Sequence, residues 1–365
     1  MDESVMKEKM TNQTTNSTQR TTIQSFFIPT TISSTTVDIS ISGSTNFSVL
    51  ERIAANDISS RANYVYSFFT GLGFLAGCFL LYSFIQTYRA HRRLAWLDCL
   101  IWVFCGFQLL LLFLSLHIVA YRPHYLKTTA LGCAALSFSI NTASLCGLFV
   151  LVLMAYILSL DPPSHALLRK PGVCTAVVIL SSTLISLLLA GLRGSRNGLQ
   201  EVEDCVIDPA HAGVSYAAAR LCMSFLIPYI LQLGLLICGC IRQWKSKGRF
   251  LSGSEEGPMF LTVNVFMFFC LLFYGIVQVR GAHLAKNMVL NPREQAFLSI
   301  SECVLFSGSS ISLVLVLFMH RPCRESLHGV LRQLRDCCQN PGGAQPNRNI
   351  IAPHIEITDT LQDIE

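Results

Sequence analysis

The sequence predicts an all-α membrane protein, a bundle of seven transmembrane helices followed by a short amphipathic eighth helix. Of the 365 residues, 52% are hydrophobic and only 13% are charged, whereas soluble proteins carry about 25% charged residues. The mean hydropathy is +0.49. Seven apolar segments account for this bias, and each exceeds the roughly 20 residues that span a bilayer core. These segments are residues 64–88, 96–121, 130–160, 172–192, 212–241, 258–279 and 296–320.

The seven segments together contain three charged residues, Asp98, Arg220 and Glu302. A helix at the surface of a soluble protein needs a polar face, which these segments lack. The composition therefore argues against a soluble enzyme, a nucleic-acid-binding protein and a disordered scaffold, and the lipid bilayer is the expected surrounding. Asp98 lies near one end of its segment, and we interpret it as an interfacial charge whose carboxylate extends out to water.

The sequence does not favour an intramembrane enzyme or a transporter. Intramembrane hydrolases need polar groups clustered around a metal or a base, but His117 and His320 lie far apart and no HExxH, GxSxG or GxxxxGK[ST] motif is present. Transporters often contain repeats and broken helices, yet no internal repeat is visible and only Pro228 interrupts a span centrally. We expect no enzymatic activity, no cofactor and no metal site.

Residues 1–63 are polar and rich in Ser and Thr. We expect a disordered tail here, because such a segment buries too little apolar surface to fold. The three N-glycosylation sequons of the chain begin in this tail, at Asn12, Asn16 and Asn46. Because glycosylated segments are surface segments of secreted or cell-surface proteins, the sequons predict an extracellular, glycosylated tail.

The distribution of Lys and Arg predicts the same orientation. With seven spans the C-terminus lies on the cytoplasmic side, and the segments expected there carry more Lys and Arg than the outside loops, as the positive-inside rule requires. The predicted organisation in the plasma membrane is the tail 1–63, a bundle over 64–320, an amphipathic helix over 321–338 and a cytoplasmic tail over 339–365. The basic inside segments are 89–95, 161–171, 242–257 and 321–338.

Most of the 15 cysteines lie within the apolar segments, where a free cysteine is a small apolar residue. Two cysteines lie near the outer surface: Cys133 begins the third segment, and Cys205 lies in the loop 193–211. An oxidising exterior allows them to pair, and the bridge would then hold the loop over the outer end of the bundle. Two unpaired thiols are the alternative.

The chain after the seventh segment has the pattern of an amphipathic helix that lies in the membrane interface. Cys337 and Cys338 end this helix and are candidates for S-palmitoylation. Two ordinary cytosolic thiols are the alternative. The apolar residues that recur at i, i+3, i+4 and i+7 are Leu327, Val330, Leu331 and Leu334.

With this topology, an outer cysteine pair and an inner amphipathic helix, residues 60–338 resemble a rhodopsin-like (class A) G-protein-coupled receptor. Pro228 matches the proline of the family's fifth helix. Phe306–Cys338, which contains Phe-Ser-Gly-Ser-Ser and Phe-Met-His-Arg-Pro, and Leu158–Asp161 are most similar to an atypical orphan branch of this family. The resemblance implies a receptor for an extracellular ligand, a peptide or a small polar molecule, that signals through a heterotrimeric G protein.

Several switch motifs of this family are replaced. Gly77 stands for the Asn of the first helix, and Cys105 for the sodium-binding Asp of the second. The family's Asp-Arg-Tyr aligns with Asp161–Pro163 or, counted from Cys133, with Ile157 one turn earlier, and neither register supplies the Arg. Cys-Trp-x-Pro aligns with Cys270–Phe273 and Asn-Pro-x-x-Tyr with Ser312–Val316. The resemblance therefore implies that no sodium ion binds and that activation uses other contacts. The alternative function is a non-signalling decoy, scaffold or receptor partner.

Arg220 and Glu302 are the strongest candidates for ligand recognition, because charged groups within a bilayer are costly and usually functional. By comparison with the family, both lie at the level of the ligand pocket. They either pair with each other across the bundle or offer a guanidinium and a carboxylate to a polar ligand. Asn141, Tyr274 and Gln278 fall at a similar depth and complete the candidate site, with hydrogen bonds between helices as the alternative role.

Overall fold

A computed structural model of the chain describes residues 43–91, 96–122, 126–159, 171–193, 202–205, 212–245, 256–286 and 291–339. The predicted glycosylation sites Asn12 and Asn16, the segment Asp161–Pro163 and residues 340–365 lie outside the described residues. Asn46, the third predicted glycosylation site, lies within a helix, but the structure does not describe its side chain.

Seven helices of the described chain are long and apolar enough to cross a membrane, which confirms the predicted all-α seven-helix bundle. We number them spans 1 to 7 in chain order. Span 5 consists of the α-helix Val214–Leu221, the π-helical turn Cys222–Leu226 and the α-helix Ile227–Lys245. The other six spans, in order, are the helices Gly43–His91, Trp96–Tyr121, Ala130–Ser159, Pro171–Arg193, Gly257–Lys286 and Pro292–Met319.

Span 1 begins at Gly43, so residues 43–63 are helical and the predicted disordered tail was too long. The Ser and Thr content suggested disorder, but this part of the chain has side chains that attach it to the bundle. Ala55 and Ser59 are buried. The hydroxyl of Ser59 lies 3.1 Å from the hydroxyl of Ser299 in span 7. These contacts explain why the helix extends beyond the apolar segment.

Spans 3 and 7 bury more of their surface than spans 4 and 5. Leu148 of span 3 and Leu313 of span 7 are fully buried in the main hydrophobic core. By contrast, Leu184 of span 4 and Ile230 of span 5 are exposed. Apolar side chains on the outside of such a bundle are suited to contact with lipid acyl chains, which explains why these spans are apolar all round.

Span 1 approaches spans 2 and 7 closely at two glycines. A Cβ atom at Gly73 would lie 2.8 Å from Cα of Ser310 and 2.8 Å from Cδ1 of Leu112. The backbone of Ser310 cannot move aside at low cost, so a side chain does not fit. One turn later, a Cβ atom at Gly77 would lie 2.8 Å from Cδ1 of Leu109. Gly77, like Gly73, therefore permits close helix packing.

Two short strands, one of them in the predicted loop 193–211, lie at one end of the bundle. Strand β1 (Leu126–Thr129) pairs antiparallel with β2 (Val202–Cys205), so that Leu126 lies opposite Cys205. The predicted disulfide joins Cys133 to Cys205, with their Cα atoms 5.3 Å apart. The bridge fastens β2 to the beginning of span 3. We call this end of the bundle the disulfide end.

The helix Arg321–Gln339 follows span 7 at the opposite end, as predicted. Cys323 is fully buried, and Leu327 packs against the main core. Leu331 and Leu334 on the same apolar face are more than half exposed. This face therefore extends beyond the bundle, as expected for a helix that lies on a membrane surface.

The two candidate palmitoylation sites lie at the end of this helix. Cys338 is a free cysteine, and its side chain is exposed. Acylation requires a thiol that is accessible in this way. The side chain of Cys337 is outside the described residues. Palmitoylation therefore remains a prediction that chemical detection of acylated cysteines can test.

Candidate ligand-binding site

Arg220 lies in the part of span 5 that is nearest the disulfide end. Span 5 begins at Val214, so Arg220 lies about two turns inside the bundle. The π-helical turn Cys222–Leu226 follows directly. Such turns insert an extra residue into a helix and are frequent at functional sites. The side chain of Arg220 is buried, with only 8% of the residue exposed.

The guanidinium of Arg220 contacts Tyr274 of span 6 in two ways. Its Nη1 donates a hydrogen bond of 2.7 Å to the phenolic oxygen, and its central carbon lies 4.9 Å from the centre of the ring. Both contacts are favourable for a cation. Within the described part of the chain, however, no carboxylate forms an ion pair with Arg220. The direct contacts of this buried cation among the described residues are thus with a neutral side chain.

Two predicted amide side chains lie beside this cation. Asn141 of span 3 is buried, and its Nδ2 donates to the hydroxyl of Tyr216 over 3.3 Å. Gln278 of span 6 is 2% exposed. Neither Oε1 nor Nε2 of Gln278 has a hydrogen-bond partner among the described residues. A buried amide without partners costs about 1–3 kcal/mol, and a polar group bound in the cavity would remove this cost.

Arg220, Asn141, Tyr274 and Gln278 line one cavity between spans 3, 5, 6 and 7. Its volume is about 30 Å³, counted as the space open to the centre of a water molecule. Since one water needs about 10–15 Å³ by this measure, the cavity has room for about two. The remaining lining residues are Ser144, Ala217, Leu221, Ser224, Phe225, Leu271, Gly275 and Leu305.

Glu302, the fifth predicted residue, does not line this cavity. Its carboxylate forms an ion pair with Arg122, which directly follows span 2, and both side chains are buried. The guanidinium of Arg122 also donates a 2.5 Å hydrogen bond from Nη1 to the hydroxyl of Ser299. The suggested pairing of Glu302 with Arg220 was therefore wrong. Glu302 has the nearer cation as its partner.

The sequence did not predict Arg122 as the partner of Glu302, because its position after span 2 places it among the charges of an outside loop. Arg122 follows the last residue of span 2, Tyr121. A long side chain at the end of a span can reach several ångströms along the bundle. The position of Arg122 directly after span 2 was therefore the one sign in the sequence that its guanidinium could reach a buried carboxylate. The guanidinium of Arg122 contacts the carboxylate of Glu302 in this way.

A second polar cluster lies at the end of the bundle opposite the disulfide. Nε2 of His320, the residue after span 7, lies 3.2 Å from Oδ1 of Asp98 and 3.7 Å from Oε1 of Glu256. Nδ1 of His320 lies 3.2 Å from the sulfur of Cys323. Asp98 lies in the first turn of span 2 and its side chain is partly exposed, and its partner at this end of the bundle is a histidine that the sequence did not predict.

The environment of His320 favours its charged form. Burial by itself would lower the pKa of His320, but the hydrogen bonds to Asp98, Cys323 and Glu256 raise it to about 11. The ligand atoms of Asp98, Glu256 and His320 lie within 4.8 Å of one another, close enough to surround a metal ion. Because a proton on Nε2 already satisfies the two carboxylates, we interpret the cluster as an ion-pair network.

A search with protein-family models finds no match for this chain, and a search of curated proteins finds none either. The resemblance to rhodopsin-like receptors therefore rests on the sequence patterns described above. The architecture of seven apolar helices is common to that family and to other membrane proteins. Function must be argued from the cavity and the polar groups that line it.

Proposed function

We propose that this protein is a receptor of the rhodopsin-like type that senses an extracellular ligand and signals through a heterotrimeric G protein. One observation carries the proposal: the buried cation Arg220, which has no carboxylate partner among the described residues, faces a cavity beside the unsatisfied amide of Gln278. Buried charges are normally paired. A ligand that pairs with Arg220 gives this arrangement a function.

In the proposed orientation, the disulfide end of the bundle faces the outside of the cell. The sequons of the N-terminal tail, the disulfide and the basic segments near the opposite end support this orientation. The protein would then be a glycoprotein of the plasma membrane, with the cavity open to ligands from outside. The end that carries His320 would face the cytoplasm and the G protein.

Activation would start with an enlargement of the cavity. With room for about two water molecules, the cavity must widen to admit a whole ligand, and spans 5 and 6 are in contact there. A Cβ atom at Gly275 of span 6 would lie 2.5 Å from Cδ1 of Leu221 of span 5. Binding would separate these spans, and span 6 would carry the movement to the cytoplasmic end.

A non-signalling decoy, scaffold or receptor partner is the second candidate, and span 6 favours it. The family's Pro within the sixth helix is absent, because the aligned residues are Cys270–Phe273. Span 6 is one uninterrupted α-helix, Gly257–Lys286. Proline is the usual cause of a helix kink, so this span lacks the hinge that the family uses.

A panel of G-protein dissociation assays in cells distinguishes the two candidates. Cells would express the full chain, R220Q or the control R280Q, which changes an exposed arginine paired with Glu294. Each would be exposed to tissue extracts, with surface expression measured in parallel. Activation of any G protein by the wild type and R280Q, but not by R220Q, supports the receptor and its pocket. Activation that R220Q retains contradicts the pocket, and silence across the panel supports the non-signalling alternative.

A further inference from the structure

The cavity beside Arg220 has the composition of a site for a single negative charge. We infer that it binds the carboxylate of a monoanionic organic ligand, with the guanidinium of Arg220 pairing with its oxygens and the amide of Gln278 donating to them. This inference rests on the proposed function, because it assigns a ligand class to the same cavity. Three observations support it: the charge balance, the unsatisfied amide and the size of the space.

The charge balance selects an anion. Arg220 is the one charged residue among the lining side chains that the structure describes. Glu302 is already paired with Arg122. A cationic ligand would face an uncompensated guanidinium, and a doubly charged phosphate or sulfate would need a second cation. A single carboxylate neutralises the site.

The neighbouring groups fit a carboxylate in both chemistry and size. Guanidinium and carboxylate groups form planar, charge-assisted pairs that are about twice as strong as neutral hydrogen bonds. The Nε2 group of Gln278 is a buried donor that lacks a partner among the described residues. The cavity has room for about two water molecules, which is comparable to the two oxygens of a carboxylate.

The rest of the lining indicates what is attached to the carboxylate. Leu221, Phe225, Leu271 and Leu305 are apolar and line the same cavity. Once the cavity has widened, a methylene chain next to the carboxylate would be buried against them, whereas a second polar group there would lose its hydration without compensation. The expected ligand is therefore an amphipathic monoanion with a carboxylate at one end and an apolar chain beside it.

The test is the thermal stability of the purified full chain in nanodiscs, with octanoate as the probe. Octan-1-ol and octylamine are the neutral and cationic analogues with the same chain. At ten times its dissociation constant, octanoate should raise the Tm of the wild type by about 2–4 °C. The two analogues should not raise it. R280Q, which changes an exposed arginine, should respond like the wild type.

The variants R220Q and Q278L separate a binding role from a structural one. R220Q removes an unpaired buried charge, so its Tm without ligand should equal or exceed that of the wild type, and its response to octanoate should be lost. Q278L should also keep its Tm and bind octanoate about tenfold more weakly. An unchanged response of R220Q to octanoate would overturn the inference, whatever the ligand-free Tm of this variant.

The ligand class and the proposed function fail in different ways. If octylamine or octan-1-ol stabilises the wild type but not Q278L, the cavity binds ligands and the carboxylate assignment is wrong. If octanoate gives no stabilisation, the carboxylate assignment is also wrong. In either case the G-protein panel tests the proposed receptor function separately. It measures G-protein activation by tissue extracts and does not depend on the chemical class of the ligand.

Discussion

The guanidinium of Arg122 and the carboxylate of Glu302 form a buried ion pair between the end of span 2 and span 7. Glu302 forms its direct ion pair with Arg122. Among the described residues no carboxylate forms an ion pair with Arg220. Arg122 is thus paired with a carboxylate, whereas Arg220 contacts the neutral Tyr274 and lines the cavity.

Removal of the Glu302 charge should destabilise the protein strongly. E302Q leaves Arg122 buried without its counter-charge, and breaking a buried pair in this way costs about 3–5 kcal/mol. The matched control is E294Q, which removes the partner of the exposed Arg280 and should cost at most about 1 kcal/mol. Thermal unfolding in detergent measures both. Equal stabilities of the two variants would show that the buried pair contributes little.

Alanine substitutions at two neighbouring glycines of span 1 should have opposite effects. A Cβ atom at Gly71 has no atom within 4 Å, so G71A should stabilise the helix by about 0.5–1 kcal/mol. At Gly73 the same atom would lie 2.8 Å from the backbone of Ser310, and overpacking of this kind costs about 1–3 kcal/mol. The Tm values of the two variants give the comparison. A stabilised G73A would contradict the close contact of spans 1 and 7.

The stability of the protein should depend on pH through His320. Folding raises the pKa of His320 from about 6.5 in the unfolded chain to about 11, so the folded state holds this proton more tightly. The contribution of the cluster is therefore complete below pH 6.5 and is lost as the pH rises towards 11.

Thermal unfolding of the wild type and H320Q between pH 6 and pH 10 tests this dependence. The stability difference between them should be largest at pH 6 and shrink as the pH rises. H328Q is the control, since His328 is an exposed residue of the C-terminal helix. A difference that stays constant with pH would mean that His320 does not carry the charge assigned to it.

Loss of the disulfide should loosen the disulfide end without abolishing the bundle. Cys133 and Cys205 are 72 residues apart in sequence, and removal of a native disulfide typically costs about 2–5 kcal/mol. C205S should therefore lower the Tm and expose β1 and β2 to hydrogen exchange. C238S, which changes an exposed free cysteine of span 5, is the control. Unchanged exchange in C205S would contradict the role of the bridge.

The sequence was sufficient to predict the spans and most of the cavity. Hydropathy alone identified seven helices, because a bilayer requires long apolar segments whatever their packing. Four of the five predicted site residues, Arg220, Asn141, Tyr274 and Gln278, line one cavity. They were found because polar groups within apolar spans are rare and stand out individually.

The partners of these polar groups could not be predicted in the same way. Glu302 and Arg122 are 180 residues apart in sequence, and Asp98 and His320 are 222 apart. Which charges meet depends on how the helices pack and on the reach of long side chains at their ends. The helical residues 43–63 were missed for a related reason, since tertiary contacts such as that of Ser59 outweighed local composition.

The most direct test of the central claim, that the cavity beside Arg220 binds a ligand, is an experimental density map of the full chain with octanoate bound. The predicted result is a carboxylate within hydrogen-bond distance of the Arg220 guanidinium and the Gln278 amide, with the chain against Leu221 and Phe225. Density for octanoate only elsewhere on the protein, with Arg220 still bonded to Tyr274 alone, would contradict the account.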